Sequence, residues 1–190
     1  MAGEMTDAAL AARAADGDRD AFGELVLRHQ AAVRRGCRAV TGDEHDADDA
    51  AQDAFLSALD RIETYDPKRP FGPWLMRIAT NAAIDLLRRR AVRRTELLDE
   101  GLTAASGSPA RDAEQSELKY RIKAALAGLP ERQRVAVTLF DLEGYAHAEI
   151  AEVLGIPEGT VRSDVFHARR KLRESLGVYA PASDDEKEET

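Results

Sequence analysis

Arginine is the residue type most unevenly spread along this chain. Arg88, Arg89, Arg90, Arg93 and Arg94 crowd into seven positions, and Arg77 precedes them. Between Phe71 and Arg94 only Asp85 opposes these six, leaving a local charge of +5. Guanidinium groups at this density suit phosphate oxygens. Asn81 and Trp74 lie in the same stretch; an amide can read a base edge and an indole can stack on an unpaired base. The bland alternatives are a core role for Trp74 and a solvated basic face for the arginines.

A second group lies near the other end, in LPERQRVAVTLFDLEGYAHAEIAEVLGIPEGTVRSDVFHARRKL, from Leu129 onward. Ala151, Gly155 and Val161 stand four and six residues apart, as a helix-turn-helix requires. Ala151 allows close helix approach, Gly155 takes the turn, and Val161 anchors the second helix. That second helix, which Thr160 is expected to cap, turns Val161, Val165, Ala168, Leu172 and Leu176 inward. Ser163, Phe166, His167 and Arg170 then face out, flanked by Arg162 and Arg169. A polar and aromatic tip with basic flanks fits the major groove of DNA.

A third group is acidic. At 100° per residue, Ala47, Ala51, Ala54, Phe55, Ala58 and Ile62 share one helix face, and Asp49, Gln52, Asp53, Leu56 and Asp60 share the opposite one. A solvated acidic surface is one reading, since Asp is favoured near a helix N-terminus. A leucine among carboxylates suggests a protein-docking face instead. A metal held by His45, Asp49 and Asp53 is a third.

Helices must position all three groups. Thr6 and Asp7 cap a short helix that Gly17 ends, and Asp18 or Asp20 opens the next, carrying Phe22, Leu25, Val26, His29 and Val33 to Gly42. Asp43 to Asp46 introduce the acidic helix, which runs to about Ile62 and is stopped by Asp66-Pro67. The arginine helix starts near Phe71. Strand signals are nearly absent, so the fold class is all-α: two small helical domains joined by a flexible linker. The boundaries are 1–94, a linker at 95–115 containing GLTAASGSPA, 116–178, and an acidic, disordered tail at 179–190.

The 190 residues carry a net charge of −8, of which −4 sits between Asp184 and Glu189. Fields act over about a Debye length, roughly 8 Å, so local patches outweigh the total, and an acidic chain with basic patches is expected to bind free DNA weakly. The lone Cys37 is expected to pack among helical apolar residues. No apolar run reaches the ~20 residues of a membrane span, and no signal peptide is visible, so a cytoplasmic protein without membrane insertion is expected. No nucleophile, acid–base pair, metal or cofactor site stands out, so no enzyme is expected.

In this order the motifs resemble the bacterial sigma-70 family, and within it the extracytoplasmic-function (ECF) sigma factors. DADDAAQDAFLSAL resembles the region that docks on the β′ clamp helices of RNA polymerase, and FGPWLMRIATNAAIDLLRRR the helix that melts and reads the −10 element. The helix-turn-helix segment resembles the −35-reading domain. The resemblance makes the N-terminal domain a region 2 bundle and the C-terminal one a region 4. It implies polymerase contacts at Asp49, Gln52, Asp53 and Leu56, and −10 contacts at Trp74, Arg77, Asn81, Asp85, Arg88 and Arg89. It implies −35 contacts at Thr160, Arg162, Ser163, Phe166, His167, Arg169 and Arg170. The implied partners are core RNA polymerase (β′ clamp helices and β flap), promoter DNA and an anti-sigma factor. Ala50 and Ala51 replace larger aliphatics and lighten the packing beneath the docking face. Asp164 replaces a basic residue, and His167 stands where arginine is frequent and lacks its fixed charge. Asp164 is expected to repel phosphate, so that Asp164→Arg tightens −35 binding. A stand-alone helix-turn-helix regulator and a sigma-mimicking interaction protein are the rival readings.

Overall fold

The structure, a computed structural model, describes residues 5–98 and 113–177, less the side chains of 93–98, 113–116, 118 and 119. The centre of the expected linker and the acidic tail lie outside the described residues, as do the side chains of Arg93 and Arg94. The described residues form eight α-helices and one 3₁₀ turn, with no strand. The helices are α1 (Asp7–Ala15), α2 (Arg19–Thr41), α3 (Glu44–Asp60), α4 (Phe71–Leu98), α5 (Ala113–Ala127), α6 (Glu131–Asp141), α7 (His147–Leu154) and α8 (Glu158–Leu176).

Side-chain caps set the early helix starts. The Thr6 hydroxyl accepts from the Ala9 amide at 3.3 Å, and Asp18 Oδ1 accepts from Asp20 and Ala21 at 3.0 Å. Asp43 Oδ1 accepts from His45 at 2.9 Å and Asp46 at 3.0 Å. Each uses amides that the first turn cannot satisfy itself. Three boundaries differ from expectation. Ile62 leaves the acidic helix and sits, buried, in the 3₁₀ turn Ile62–Thr64. The arginine helix continues to Leu98, past the boundary at 94. Thr160 does not cap α8. Pro157 precedes the helix at φ −61° and places its start at Glu158, so Thr160 is already helical, its amide donating to the Pro157 carbonyl at 2.9 Å.

Helices α2, α3 and α4 form the N-terminal bundle. The α3 face turned inward is alanine: Ala47, Ala50, Ala51, Ala54 and Ala58 are all buried. Against it lie Leu25, Val33, Cys37 and Val40 of α2 and Phe71, Leu75, Met76, Ala79 and Ala83 of α4. Full burial of a side chain such as Leu75 contributes ~1.5–3 kcal/mol. The α2–α4 approach is tight at Gly36, where a Cβ would collide with Met76 Sδ. Cys37 packs as expected, its thiol 3.6 Å from the Ala79 carbonyl oxygen and pushed up to about 12 by burial.

In the C-terminal domain Val135, Leu139, Ile150, Val153, Val161 and Val165 are buried between α6, α7 and α8. Gly155 joins α7 to α8 at φ 66°, a left-handed conformation that a Cβ would oppose. Asp164 is only 4% exposed and does not face outward. Its carboxylate accepts from Arg132 Nε at 2.5 Å and Nη2 at 3.2 Å, tying α8 to α6. The expected repulsion of phosphate by Asp164 is therefore corrected: the charge is turned inward and paired. The two domains also touch each other. Helix α6 lies on α2 and α7 on α4, and one buried cluster includes Leu25, Leu75, Met76, Leu139, Ile150 and Val161.

Two stability outcomes follow from these contacts. Asp43→Ala should lower unfolding free energy by ~1 kcal/mol in denaturant titrations, with Asp43→Asn closer to wild type at neutral pH. The Asp46 and His45 amides hold the Asp43 carboxyl below its ordinary value, so its contribution is present above that value and fades as pH falls through the lowered pKa. Asp43→Asn should flatten that part of the acid limb. Asp164→Arg should destabilise the protein by ~2–3 kcal/mol, below the ~3–5 of a fully buried pair because Arg132 is half exposed.

Candidate polymerase and nucleic-acid interfaces

The capped start of α3 fixes the phase of its outer face. Asp49, Gln52 and Asp53 are exposed there, and Leu56 is 57% exposed. Leu59, at 37%, widens the apolar centre, a residue the sequence reading left out. Among the described residues no group of three or more His, Cys, Asp or Glu side chains is gathered as a metal site.

Helix α4 lies beside this face, with Arg77, Asn81, Asp85, Arg88 and Arg89 exposed along it. Asp53, Leu56, Ser57 and Asp60 of α3 and Ala82, Asp85, Arg88 and Arg89 of α4 line one open groove. The docking and −10 candidates are thus adjacent surfaces. Trp74 is half-buried rather than projecting, with its ring 5.4 Å from Tyr65 and 5.3 Å from Phe71. Tyr65 steadies this aromatic group by donating its hydroxyl to the Arg69 carbonyl at 2.5 Å. No signal at the level of single-helix periodicity pointed to Tyr65, because it lies in the loop before α4.

The arginine cluster has partners that its own segment conceals. Arg88 meets Asp85 at 3.3 Å, and Arg89 meets Asp53 at 3.4 Å. Arg90 pairs with the buried Asp46 of α3. The two cross-helix acids stand 36 and 44 residues earlier in the chain. The exposed Arg88 and Arg89 pairs contribute ~0–1 kcal/mol each and leave their guanidiniums able to exchange a carboxylate for a phosphate, whereas Arg90 is held by a buried acid. Arg77 and Asn81 have no side-chain partner among the described residues.

On α8, Arg162, Ser163, Phe166 and Arg170 are exposed, and Thr160 and His167 are half-buried. Phe166, 62% exposed, meets His167 edge-on at 5.5 Å. Arg162 pairs with Glu158 at 2.7 Å, and Arg170 reaches Glu174 at 4.0 Å. Arg169 turns the other way: it pairs with Asp141 and lies 5.0 Å over the Phe140 ring, bracing α8 on α6. His147 stacks on the same ring at 4.3 Å, and desolvation, then Arg162, lowers its pKa. Six of the seven −35 candidates therefore share a surface or its rim, while Arg169 holds the helix from behind. Among the described residues no helix is long and apolar enough to cross a membrane.

Comparison with known proteins identifies the two domains. Residues 25–93 match the family model for sigma-70 region 2, and residues 119–172 the model for sigma-70 region 4. The chain is 38% identical over 92% of its length to the ECF RNA polymerase sigma factor SigM of Mycobacterium tuberculosis, covering 86% of that protein. Among solved structures, CnrH in complex with the cytosolic domain of CnrY aligns at TM-score 0.68 and 34% identity, over 90% of this chain and 96% of that one. The sigma factor RpoE from Bartonella quintana, solved with the anti-sigma factor NepR, aligns at TM-score 0.71 and 25% identity, over 83% of this chain and 98% of that one. Regions 2 and 4 in order, over a fold shared across both domains, place the chain in the sigma-70 family, among the ECF RNA polymerase sigma factors.

Proposed function

We propose that this chain docks on core RNA polymerase through the outer face of α3, with Asp49, Gln52, Asp53 and Leu56 against the β′ clamp helices and the C-terminal domain toward the β flap. The observation that carries this is a half-exposed leucine ringed by carboxylates beside an arginine-lined groove. An apolar centre with a charged rim fits a protein partner better than it fits solvent. The polymerase supplies the chemistry of initiation, and this chain supplies position.

The −10 element then meets α4. Arg77 and Arg88 take phosphates, Asn81 offers hydrogen bonds to a base edge, and Arg89 exchanges Asp53 for DNA. Extruding a base from the stack costs a few kcal/mol. Trp74, held by Tyr65 and Phe71, gives the opened strand a fixed apolar wall. At the −35 element Ser163, Phe166 and His167 face the major groove while Arg162 and Arg170 hold phosphates, with ~1–3 kcal/mol for each good base contact. Thr160 lies at the start of the same helix, where amides favour a phosphate. Control by an anti-sigma factor is part of this reading, supported by the solved relative RpoE, which carries the anti-sigma factor NepR.

The test is binding of the full chain to purified bacterial core polymerase. Asp49→Ala/Gln52→Ala/Asp53→Ala should weaken it at least ~10-fold, equivalent to about 1.4 kcal/mol. No binding by the wild type would leave a stand-alone DNA regulator or a mimic. On −35 DNA, Arg162→Ala should weaken all sequences alike and flatten the salt dependence by about one phosphate contact. Ser163→Ala should instead relax preference at one position of the element.

A further inference from the structure

The first residue of α1 grips two consecutive side chains of α2. Asp7 Oδ1 accepts from Arg28 Nη1 at 3.0 Å, and Asp7 Oδ2 stands 2.7 Å from His29 Nε2. A carboxylate only accepts, so Nε2 carries the proton of that bond. Arg28 also donates to the Met5 carbonyl at 2.7 Å and to Glu24 at 3.0 Å, which ties the chain entering α1 to α2 as well. Leu10, Ala11 and Ala14 already bury the apolar side of α1. Its polar end has a separate effect, which is to fix one ring.

An imidazole has broad, shallow minima about its last side-chain torsion. The Asp7 bond removes that freedom from His29, whose side chain is 18% exposed. The ring so held lies against Phe71, with centroids 5.3 Å apart and planes tilted by 54°. Phe71 is the first residue of α4 and is buried. It meets Tyr65 edge-on at 5.2 Å and Trp74 at 5.3 Å, and Tyr65 meets Trp74 at 5.4 Å. Phe71 therefore touches each of the other three rings. Burial, and then the charges of Asp7 and Asp66, raise the Tyr65 phenol above its ordinary range, which keeps its hydroxyl a donor to Arg69.

Rings in contact at these separations shift together, because interior side chains interlock and a gap beside one costs its neighbours their contacts. Trp74 stands one turn into α4, half-buried, with Phe71 and Tyr65 against it. A side chain that must meet an unpaired base gains from being held beforehand, since ordering it at the moment of contact costs conformational entropy.

We propose that Asp7 and His29 are positioning residues for promoter opening, holding Trp74 through Phe71 in the orientation that receives the opened strand. The inference rests on the −10 reading of α4 and deepens it, bringing in α1, a helix ahead of the region 2 segment. Neither Asp7 nor His29 touches DNA in this account; both act through the Phe71 ring.

Trp74 is the chain's single tryptophan, so its fluorescence reports this site alone. The test compares the full-length wild type with His29→Ala, His29→Phe and Asp7→Ala. Three quantities are measured: acrylamide quenching of Trp74, binding to core polymerase, and transcription by core polymerase on random duplexes. The last is repeated on the same duplexes carrying a mismatched, already open window. His29→Ala should raise the quenching constant and leave core binding unchanged. Its yield on closed duplexes should fall ~10-fold, a barrier change of about 1.4 kcal/mol, while its yield on open windows stays within about 2-fold of wild type. Asp7→Ala should move each readout the same way by less, because the ring remains and only its restraint is lost. His29→Phe keeps a ring against Phe71 and should restore most of the closed-duplex yield. Unchanged quenching in His29→Ala, or equal losses on closed and open templates, would overturn the positioning role. If His29→Ala loses helicity by circular dichroism, Asp7→Ala decides by the same two criteria. A wild type that binds core polymerase but starts no transcripts on either template strikes the −10 reading instead, and quenching still decides whether Asp7 and His29 hold Trp74.

Discussion

The close approach of α2, α3 and α4 is the constraint on which the other features depend. It requires small residues where the helices meet, and the sequence supplies them: Gly36 on α2, five buried alanines on α3, and Ala79 and Ala83 on α4. Larger side chains would push the helices apart and rotate the outer face of α3 away from that of α4. With the helices close, Asp46 and Asp53 come within reach of Arg90 and Arg89. The outer face of α3 and the arginine stripe thereby become two sides of one groove. The alanines that make this face of the bundle light are also what brings the two proposed binding surfaces together.

Charge is arranged by the same geometry. The chain is acidic in sum, yet its arginines gather on the surfaces proposed to meet DNA. Nearly every described arginine on those surfaces already holds a carboxylate, at Glu158, Asp85, Asp53 or Glu174. Such pairs are weak in water, and each guanidinium exchanges one anion for another at small net gain. Free DNA therefore gains little from binding here. DNA already held against the polymerase gains more, because tethering replaces the entropy of bringing two molecules together.

Much of this was legible in the residues. Asp43 before an alanine-rich run, and Gly155 between Ala151 and Val161, mark helix starts and turns by local chemistry, and local chemistry settles such features. Helical spacing likewise separated the outward Asp49, Gln52, Asp53 and Leu56 from the buried alanines. What escaped was long-range. Periodicity put Asp164 beside the positions proposed to read DNA, and only its pairing with Arg132, 32 residues away, shows that it serves the domain's interior. Thr160 looked like a cap because its type suits that role, but Pro157 starts the helix sooner. Arg169 flanks the outer face of α8 in sequence and is drawn behind it by Asp141 and Phe140. The arginine cluster looked uncompensated because its partners belong to another helix. The contact of α2 with α6 joins segments nearly a hundred residues apart, and no local pattern encodes it.

The central claim is that this chain gives core polymerase two-element promoter specificity. The most direct measurement is transcription by core polymerase alone and with the chain added, on a library of random duplexes, with the RNA 5′ ends sequenced. The account predicts that adding the chain creates start sites preceded by two enriched sequence elements about 25 base pairs apart, centre to centre. RNA 5′ ends that are no more frequent or sequence-specific with the chain than without it would contradict the account.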